Sequence, residues 1–457
     1  MKSALAIWLA LVPLITRGLS PHPDNPHYFL FRGKPAVLIT SGEHYGAVLN
    51  KDFDYVAYLD ELVAHRFNHT RLFSGTYCER EDSFGITGNT LAPVPGAFVC
   101  PWARSETPGC FDGGSKFDLT RWDEKYFARL KDLVQEAGRR GIVVEMNLFC
   151  TMYSDAIWGA SPMNSANNIN GIGRVSRNEV YALKEEQLTA AQEAVARKIV
   201  NELNTFDNVY YEVCNEPYER SGMHPDWQSR IVQVITEAES SLPNKHLISL
   251  NDEHRDGKIT KPRPLVSIYN FHAATPESVT LNYALGKALG DNETGGSARD
   301  DKTYRVQAWE FILAGGALFS HLDFSFATTH PRGTLRNHKS PGGGSPELRQ
   351  QLGILKKFIE GFDFVRMTPD KSIAALPAGT RIFALSERGR QYAIYLSGAR
   401  QTTLSLDLPA GSYRAEWINT LSGQTDKRED IRGGTVALTP PNYREDIALR
   451  VLRTRGE

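Results

Sequence analysis

Two glutamates in this chain stand where a pair of reacting carboxyl groups would be placed. Asn215-Glu216-Pro217 closes the run Asn208-Val-Tyr-Tyr-Glu-Val-Cys214, which reads as a buried strand. A carboxyl group at the C-terminal tip of an apolar strand, just before a proline that turns the chain, is pushed toward a cleft. In a barrel of parallel strands that tip is where chemistry happens. The second glutamate is Glu293 in Gly290-Asp-Asn-Glu-Thr-Gly-Gly296, ending another short strand before a glycine-rich turn. The interval between them is 77 residues, room for three β/α units, so the two would face each other across a barrel mouth. Two carboxyl groups flanking one bond suit the cleavage of a glycoside. In the retaining mechanism one is acid and then base, and the other is the nucleophile.

Other carboxylates compete for these roles. Glu212 lies inside the same strand as Glu216, and Glu310 sits within a helical stretch beside Trp309. Asp291 and Asp323 are at strand tips, and Glu253, after Ser249-Leu-Asn-Asp252, is the alternative nucleophile. Arg71, in Phe67-Asn-His-Thr-Arg-Leu72, is a cation that would hold a nearby carboxylate ionised, or form a structural salt bridge. Asn215, His44, Asn147, His272 and Asp323 are strand-tip polar groups fit for sugar hydroxyls. Trp158, Trp102 and Tyr153, in long loops, could stack on sugar rings or simply pack.

The elements that must position these residues can be read from periodicity. Strands are expected over 36–40, 68–73, 142–148, 209–214, 246–250, 266–271, 288–291 and 317–324, eight in all. Helical spacing separates several of them: Phe127, Leu130, Val134 and Ala137, then Leu188, Ala191, Val195 and Ile199. Ser345-Pro346-Glu347 reads as a helix start. The expected fold is a (β/α)8 barrel over 21–366, with its longest insertions after Phe73 and Phe149. From about Thr368 short alternating segments such as Tyr392-Ala-Ile-Tyr-Leu396 and Thr403-Leu-Ser-Leu-Asp-Leu408 are separated by turns. They predict a small antiparallel β-sandwich over 367–457. Lys2 followed by the apolar stretch Ala4 to Ile15 reads as a signal peptide, residues 1–20, and hence a secreted or periplasmic protein; the alternative is a buried N-terminal helix.

Lys and Arg number 52 against 53 Asp and Glu, a net charge of -1, so neither nucleic acid nor an anionic membrane is implied as partner of the mature chain. The five cysteines are an odd set; Cys100 and Cys110 flank a loop and could bridge. There is no CxxC and no HExxH, so no metal site is expected, and acid–base glycoside chemistry needs no cofactor.

Arg71 with its flanking residues, Gly141-Ile-Val-Val-Glu-Met-Asn-Leu148 and Val209 to Pro217 together resemble clan A of the glycoside hydrolases, the cellulase-like retaining enzymes. The likeness covers roughly 25–365 and implies a (β/α)8 fold, with Glu216 as acid/base and Glu293 as nucleophile. Ala308-Trp-Glu-Phe-Ile-Leu-Ala-Gly-Gly316 and His321-Leu-Asp-Phe-Ser325, with the C-terminal sandwich, are similar to bacterial apiosidase-like proteins whose last domain is labelled collagen-binding. The chain departs from the clan pattern at Asn147-Leu-Phe149, at Phe271-His272-Ala-Ala and at the eighth strand, which lacks the usual tip tryptophan. Those departures leave the carboxylate pair in place and the sugar open. A carbohydrate is the expected partner. The other readings are a non-catalytic carbohydrate-binding surface protein on the same scaffold, and a transglycosidase using the same residues.

Overall fold

A computed structural model of the chain describes residues 18–218, 222–251, 257–296, 298–373, 379–398 and 403–454. The N-terminal apolar stretch Ala4 to Ile15 and Glu253 lie outside the described residues. Among the described residues no helix is long and apolar enough to cross a membrane.

Eight parallel strands form the first domain: β1 (Leu38–Gly42), β2 (His69–Phe73), β3 (Val143–Cys150), β4 (Val209–Asn215), β5 (Ile248–Leu250), β6 (Ile268–His272), β7 (Ala288–Thr294) and β8 (Leu318–Leu322). Each lies within two or three residues of its expected position. The hydrogen-bonded order runs β1-β8-β7-β6-β5-β4-β3-β2. Between β1 and β2 one backbone bond, from the Asn68 N–H to the Ile39 carbonyl at 3.4 Å, is reinforced by the Asn68 side chain. Asn68 accepts from the Ile39 N–H at 3.0 Å and donates to the Val37 carbonyl at 2.9 Å, tying the two strands together. The result is the expected (β/α)8 barrel.

The outer helices form where apolar spacing and caps coincide. Helix Glu124–Arg139 starts at Asp123, whose carboxylate accepts from the Lys125 and Tyr126 amides, and it buries Phe127, Leu130, Val134 and Ala137. Helix Pro346–Ile359 is capped by Ser345, which accepts from the Leu348 N–H at 2.9 Å. An N-terminal hairpin, Phe29–Phe31 with Lys34–Ala36, turns through Arg32 and Gly33 at φ of 50° and 76°. This is the two-residue geometry whose twist matches antiparallel strands.

The C-terminal domain is a six-stranded antiparallel sheet. Its longest strand, Leu404–Ile418, loses register between Leu408 and Ser412. Leu404, Leu406 and Leu408 on one side of that break share a core with Ile394, Leu396, Trp417, Leu449 and Val451, so the sheet folds over on itself as a sandwich. The alternate residues of the central strands face the barrel. Tyr395 stacks on Trp309 with centroids 5.2 Å apart. Arg305, from the helix Asp301–Leu313, forks onto Asp446 at 2.9 and 3.0 Å. Glu310, weighed above as a reactive carboxylate, instead accepts from Ser397 at 2.7 Å and joins the two domains.

Candidate active site

Glu216 follows the last residue of β4 with φ of +49°, a left-handed conformation that a non-glycine residue holds only when its surroundings impose it. The surroundings here are specific. Its N–H donates to Asn251 Oδ1 at 3.0 Å, and its carbonyl accepts from the Thr151 hydroxyl at 2.5 Å. The carboxylate accepts from the Tyr153 hydroxyl at 2.7 Å and meets His272 Nδ1 at 2.9 Å. Tyr153 in turn accepts from Asn215 Nδ2 at 2.8 Å.

Glu293 owes its direction to an irregularity in β7. Asp291 pairs with Phe271 and Glu293 with His272, so one residue, Asn292, is extra. In a regular strand neighbours point to opposite faces. The bulge lets Asn292 and Glu293 both address the barrel axis, the re-aiming for which such bulges are used. Glu293 Oε2 accepts from Arg71 Nη1 at 3.0 Å, and its Oε1 lies 3.8 Å from His272 Nδ1. One atom from each of Glu216, His272 and Glu293 falls within 4.8 Å of the other two. Burial drives the imidazole of His272 toward neutrality, but the charges of Glu293 and Glu216 outweigh it and raise its pKa.

Arg71 stands on a buried polar layer beneath the pair. Its Nη2 bonds Asn215 Oδ1 at 2.7 Å and also Glu212 Oε1, and its Nε lies 3.7 Å from Glu145 Oε1. Glu145 and Glu212 share their donors. Asn270 Nδ2 reaches Glu145 at 3.0 Å and Glu212 at 2.9 Å, and Asn292 Nδ2 bonds the same two oxygens. Three carboxyl groups thus converge on one guanidinium. Burial, only partly opposed by Arg71, lifts Glu212 to about 8, so this layer carries a proton at neutral pH. The triad of Glu216, His272 and Glu293 has ligand-type atoms close enough for a metal ion. Arg71 already pairs with Glu293 at 3.0 Å, and the neighbouring carboxylates shift His272 toward its charged form.

Above the pair opens a cleft of about 570 Å³. His44, Tyr45, Tyr77, Glu79, Tyr153 and Phe84 line it beside the two glutamates. His44 and Tyr45 lie on the turn after β1, which is fixed by the buried Glu43 accepting from the Gly46 and Ala47 amides at 3.0 Å each. Burial lowers His44 to about 4, so it is neutral near pH 7, and its Nδ1 has no hydrogen-bond partner among the described residues. The Tyr45 hydroxyl faces Arg71 and Glu293, and burial beside the Glu293 charge keeps it protonated.

The structure brings together Glu216, Glu293, Arg71, Asn215, His272 and His44, as their strand-tip positions suggest. Asn147 lies deeper, on the face of β3 that carries Glu145, buried and with neither amide atom bonded among the described residues. Asp323 is a correction. It is buried away from the cleft and bonded to Arg349 at 2.6 Å, Ser41 at 3.1 Å and the Ser325 N–H at 2.9 Å. A guanidinium from the helix Pro346–Ile359 captures it. Trp158 is a second correction. Its indole is buried and donates to the Val175 carbonyl at 2.9 Å, holding the loop after β3. Trp102 is likewise buried against Trp122. All five thiols are unpaired, Cys100 and Cys110 included. The sequence reading missed Tyr45, Tyr77, Glu79 and Phe84. Tyr45 could have been found as the neighbour of His44. The others sit in an insertion without periodicity.

A domain of unknown function (DUF6298) matches residues 86–192. No curated protein sequence matches the chain. Among solved structures, a candidate glycoside hydrolase from Bacteroides vulgatus superposes with a TM-score of 0.67 at 14% identity, covering 96% of this chain and 83% of that one. A glycoside hydrolase family 5 protein from the same organism gives 0.65 at 13%, covering 95% and 93%. A further glycoside hydrolase gives 0.65 at 12%, covering 97% and 98%. At such identities the likeness establishes the fold, and the barrel with its C-terminal sheet is a fold found in glycoside hydrolases.

Proposed function

We propose that the protein is a retaining glycoside hydrolase acting on a plant or microbial oligo- or polysaccharide. The observation that carries this is the spacing and unequal support of Glu216 and Glu293. Their carboxyl groups approach within 4.8 Å, near the ~5–5.5 Å typical of retaining enzymes and short of the ~6.5–9.5 Å of inverting ones. Arg71 donates to Glu293 at 3.0 Å and sets a fixed positive charge beside it, which suits a nucleophile. Glu216 faces a hydroxyl and an imidazole, partners that tolerate either protonation state, which suits an acid/base.

In the first step Glu216 gives its proton to the glycosidic oxygen as Glu293 attacks the anomeric carbon, and the leaving sugar departs as an alcohol. In the second, Glu216 takes a proton from water, whose oxygen displaces Glu293 and restores its carboxylate. His44 offers its Nδ1 to a hydroxyl of the sugar being cleaved, and the Tyr45 hydroxyl steadies Glu293. The long loops after β2 and β3 favour a closed pocket and so removal of a terminal sugar. The basic and then apolar N-terminus favours export.

The test is hydrolysis of a panel of aryl glycosides and oligosaccharides by the wild type, Glu216→Ala and Glu293→Ala. Both variants should lose activity, and azide should restore turnover with glycosyl azides of opposite anomeric configuration. Activity surviving Glu293→Ala would overturn the assignment of the nucleophile and shift it to Glu253.

A further inference from the structure

The cleft over the carboxylate pair does not end at Glu79. A second, solvent-open groove adjoins it, and Glu79 and Ile86 belong to the walls of both. Glu79 is buried, and its two oxygens look opposite ways. Oε1 accepts from Tyr77 at 3.0 Å and lies 3.7 Å from His44 Nε2, both lining the catalytic cleft. Oε2 accepts from Asn89 Nδ2 at 2.6 Å, and Asn89 lines the second groove. Glu79 and Ile86 together form the wall shared by the two spaces.

The second groove is preformed. Its wall, the segment 79–97, is pinned by the Glu79 N–H to the Leu91 carbonyl at 2.8 Å and by the Lys51 N–H to the Ala97 carbonyl at 3.0 Å. It is also pinned by the Thr87 N–H to the Lys339 carbonyl at 2.8 Å, from the segment after β8. Pro93, Val94 and Phe111 give it an apolar side, with Val94 61% exposed. The same lining carries Asp52, Glu79, Glu81 and Asp112 against a single cation, Arg80. Asp112 is already forked by Arg104 at 3.0 Å.

We propose that this groove is a distal glycan subsite that takes neutral sugar units and rejects uronates. It rests on the glycosidase reading of the adjacent cleft. Apolar surface from Pro93, Val94 and Phe111 together with hydrogen-bond acceptors in one lining matches the mixed apolar and hydroxyl surface a pyranose presents. The excess of carboxylates makes a uronate pay both repulsion and desolvation at the same place. An extended substrate would run from the bond between Glu216 and Glu293, past Glu79, into this groove.

Binding is measured by calorimetry on full-length Glu216→Gln, so that no cleavage is needed. The probes are the cello-, manno-, xylo- and galacto-configured dimers and tetramers, and galacturonate dimers and tetramers. At least one neutral tetramer should bind ten-fold or more tightly than its dimer, and galacturonate should show no such gain. Adding Asp52→Lys and Glu81→Lys, both exposed positions, should give the galacturonate tetramer a gain of ten-fold or more over its dimer. The proposal is overturned if no neutral tetramer outbinds its dimer, or if the charge reversal leaves the galacturonate ratio unchanged. Length-dependent binding in a wild type that hydrolyses nothing would remove the hydrolase reading and keep the subsite.

Discussion

Arg71 Nη1 lies 3.0 Å from Glu293 Oε2, and the same guanidinium bonds Glu212 and Asn215 from its other nitrogen. One buried cation therefore serves the proposed nucleophile, the interior of the barrel and the residue before Glu216. Removing it would leave Glu145, Glu212 and Glu293 facing each other without a counter-charge. Arg71→Met should cost about 3–5 kcal/mol of stability, as loss of one partner from a buried ion pair does. Arg71→Lys keeps the charge but not the fork, so it should stay folded with kcat/KM lowered by about 100-fold or more. Urea unfolding with kinetics on one aryl glycoside checks both. Full activity in Arg71→Lys would remove the guanidinium from the mechanism.

The proton held by the layer under Arg71 has a signature in stability. Glu212 is lifted to about 8 in the folded protein, chiefly by burial, above its value in an unfolded chain. Between the ordinary glutamate range and about 8 the folded state keeps a proton that the unfolded state has released. Its stabilising contribution is full below that window and is lost as pH rises through it. Glu212→Gln imitates the protonated group and should flatten this part of the stability curve. Urea midpoints of wild type and variant across that pH range provide the check, and parallel curves would place the proton elsewhere.

Tyr153 bridges Asn215 and Glu216 through a single hydroxyl. Tyr153→Phe removes that hydroxyl while keeping the ring, which packs edge-on against Tyr77 with centroids 6.2 Å apart. The fold should be retained, and kcat should fall by about 10- to 100-fold with little change in KM, because the loss falls on orientation of the acid/base. A rise in KM at constant kcat would instead make Tyr153 a contact to substrate only.

The barrel was legible in the sequence because apolar strands and capped helices announce themselves by period. The carboxylate pair was legible because each glutamate ends a strand. What stayed hidden depends on contacts between distant segments. Asp323 has the position of a cleft residue, but whether it faces substrate or Arg349 is decided by a helix that begins 23 residues later. Glu293 was assigned as a strand end without the bulge that turns it inward. Glu79 and Phe84 lie in an irregular insertion, where neither two-fold nor 3.6-fold spacing reports direction.

The two domains should unfold together. Arg305 and Trp309, on one barrel helix, are buried against Asp446 and Tyr395 of the sheet. Arg305→Met would leave the Asp446 carboxylate with the Tyr395 and Thr420 hydroxyls, at 2.7 and 3.0 Å, and without its guanidinium, and should destabilise the whole chain by about 3–5 kcal/mol. Calorimetry should show one transition shifted down. A lower transition for the sheet alone, with the barrel's unchanged, would make the domains independent.

Phe84 holds φ of +54° with 51% of its surface exposed, at the rim of the cleft and edge-on to Tyr153 at 5.5 Å. An aromatic side chain gains little from such exposure and is strained in that backbone conformation, a combination that folding alone does not favour. A platform for a sugar ring would account for it. Phe84→Gly relieves the strain, partly offset by the greater freedom of glycine in the unfolded chain. Stability should be unchanged or raised by up to about 1 kcal/mol. KM for an oligosaccharide should rise several-fold in the same variant, with kcat nearly constant. Urea midpoints and Michaelis curves on the same preparation decide it: marked destabilisation with KM unmoved would make Phe84 a packing residue, whereas an unaltered fold that binds sugar less well would show strain kept for the sake of the substrate.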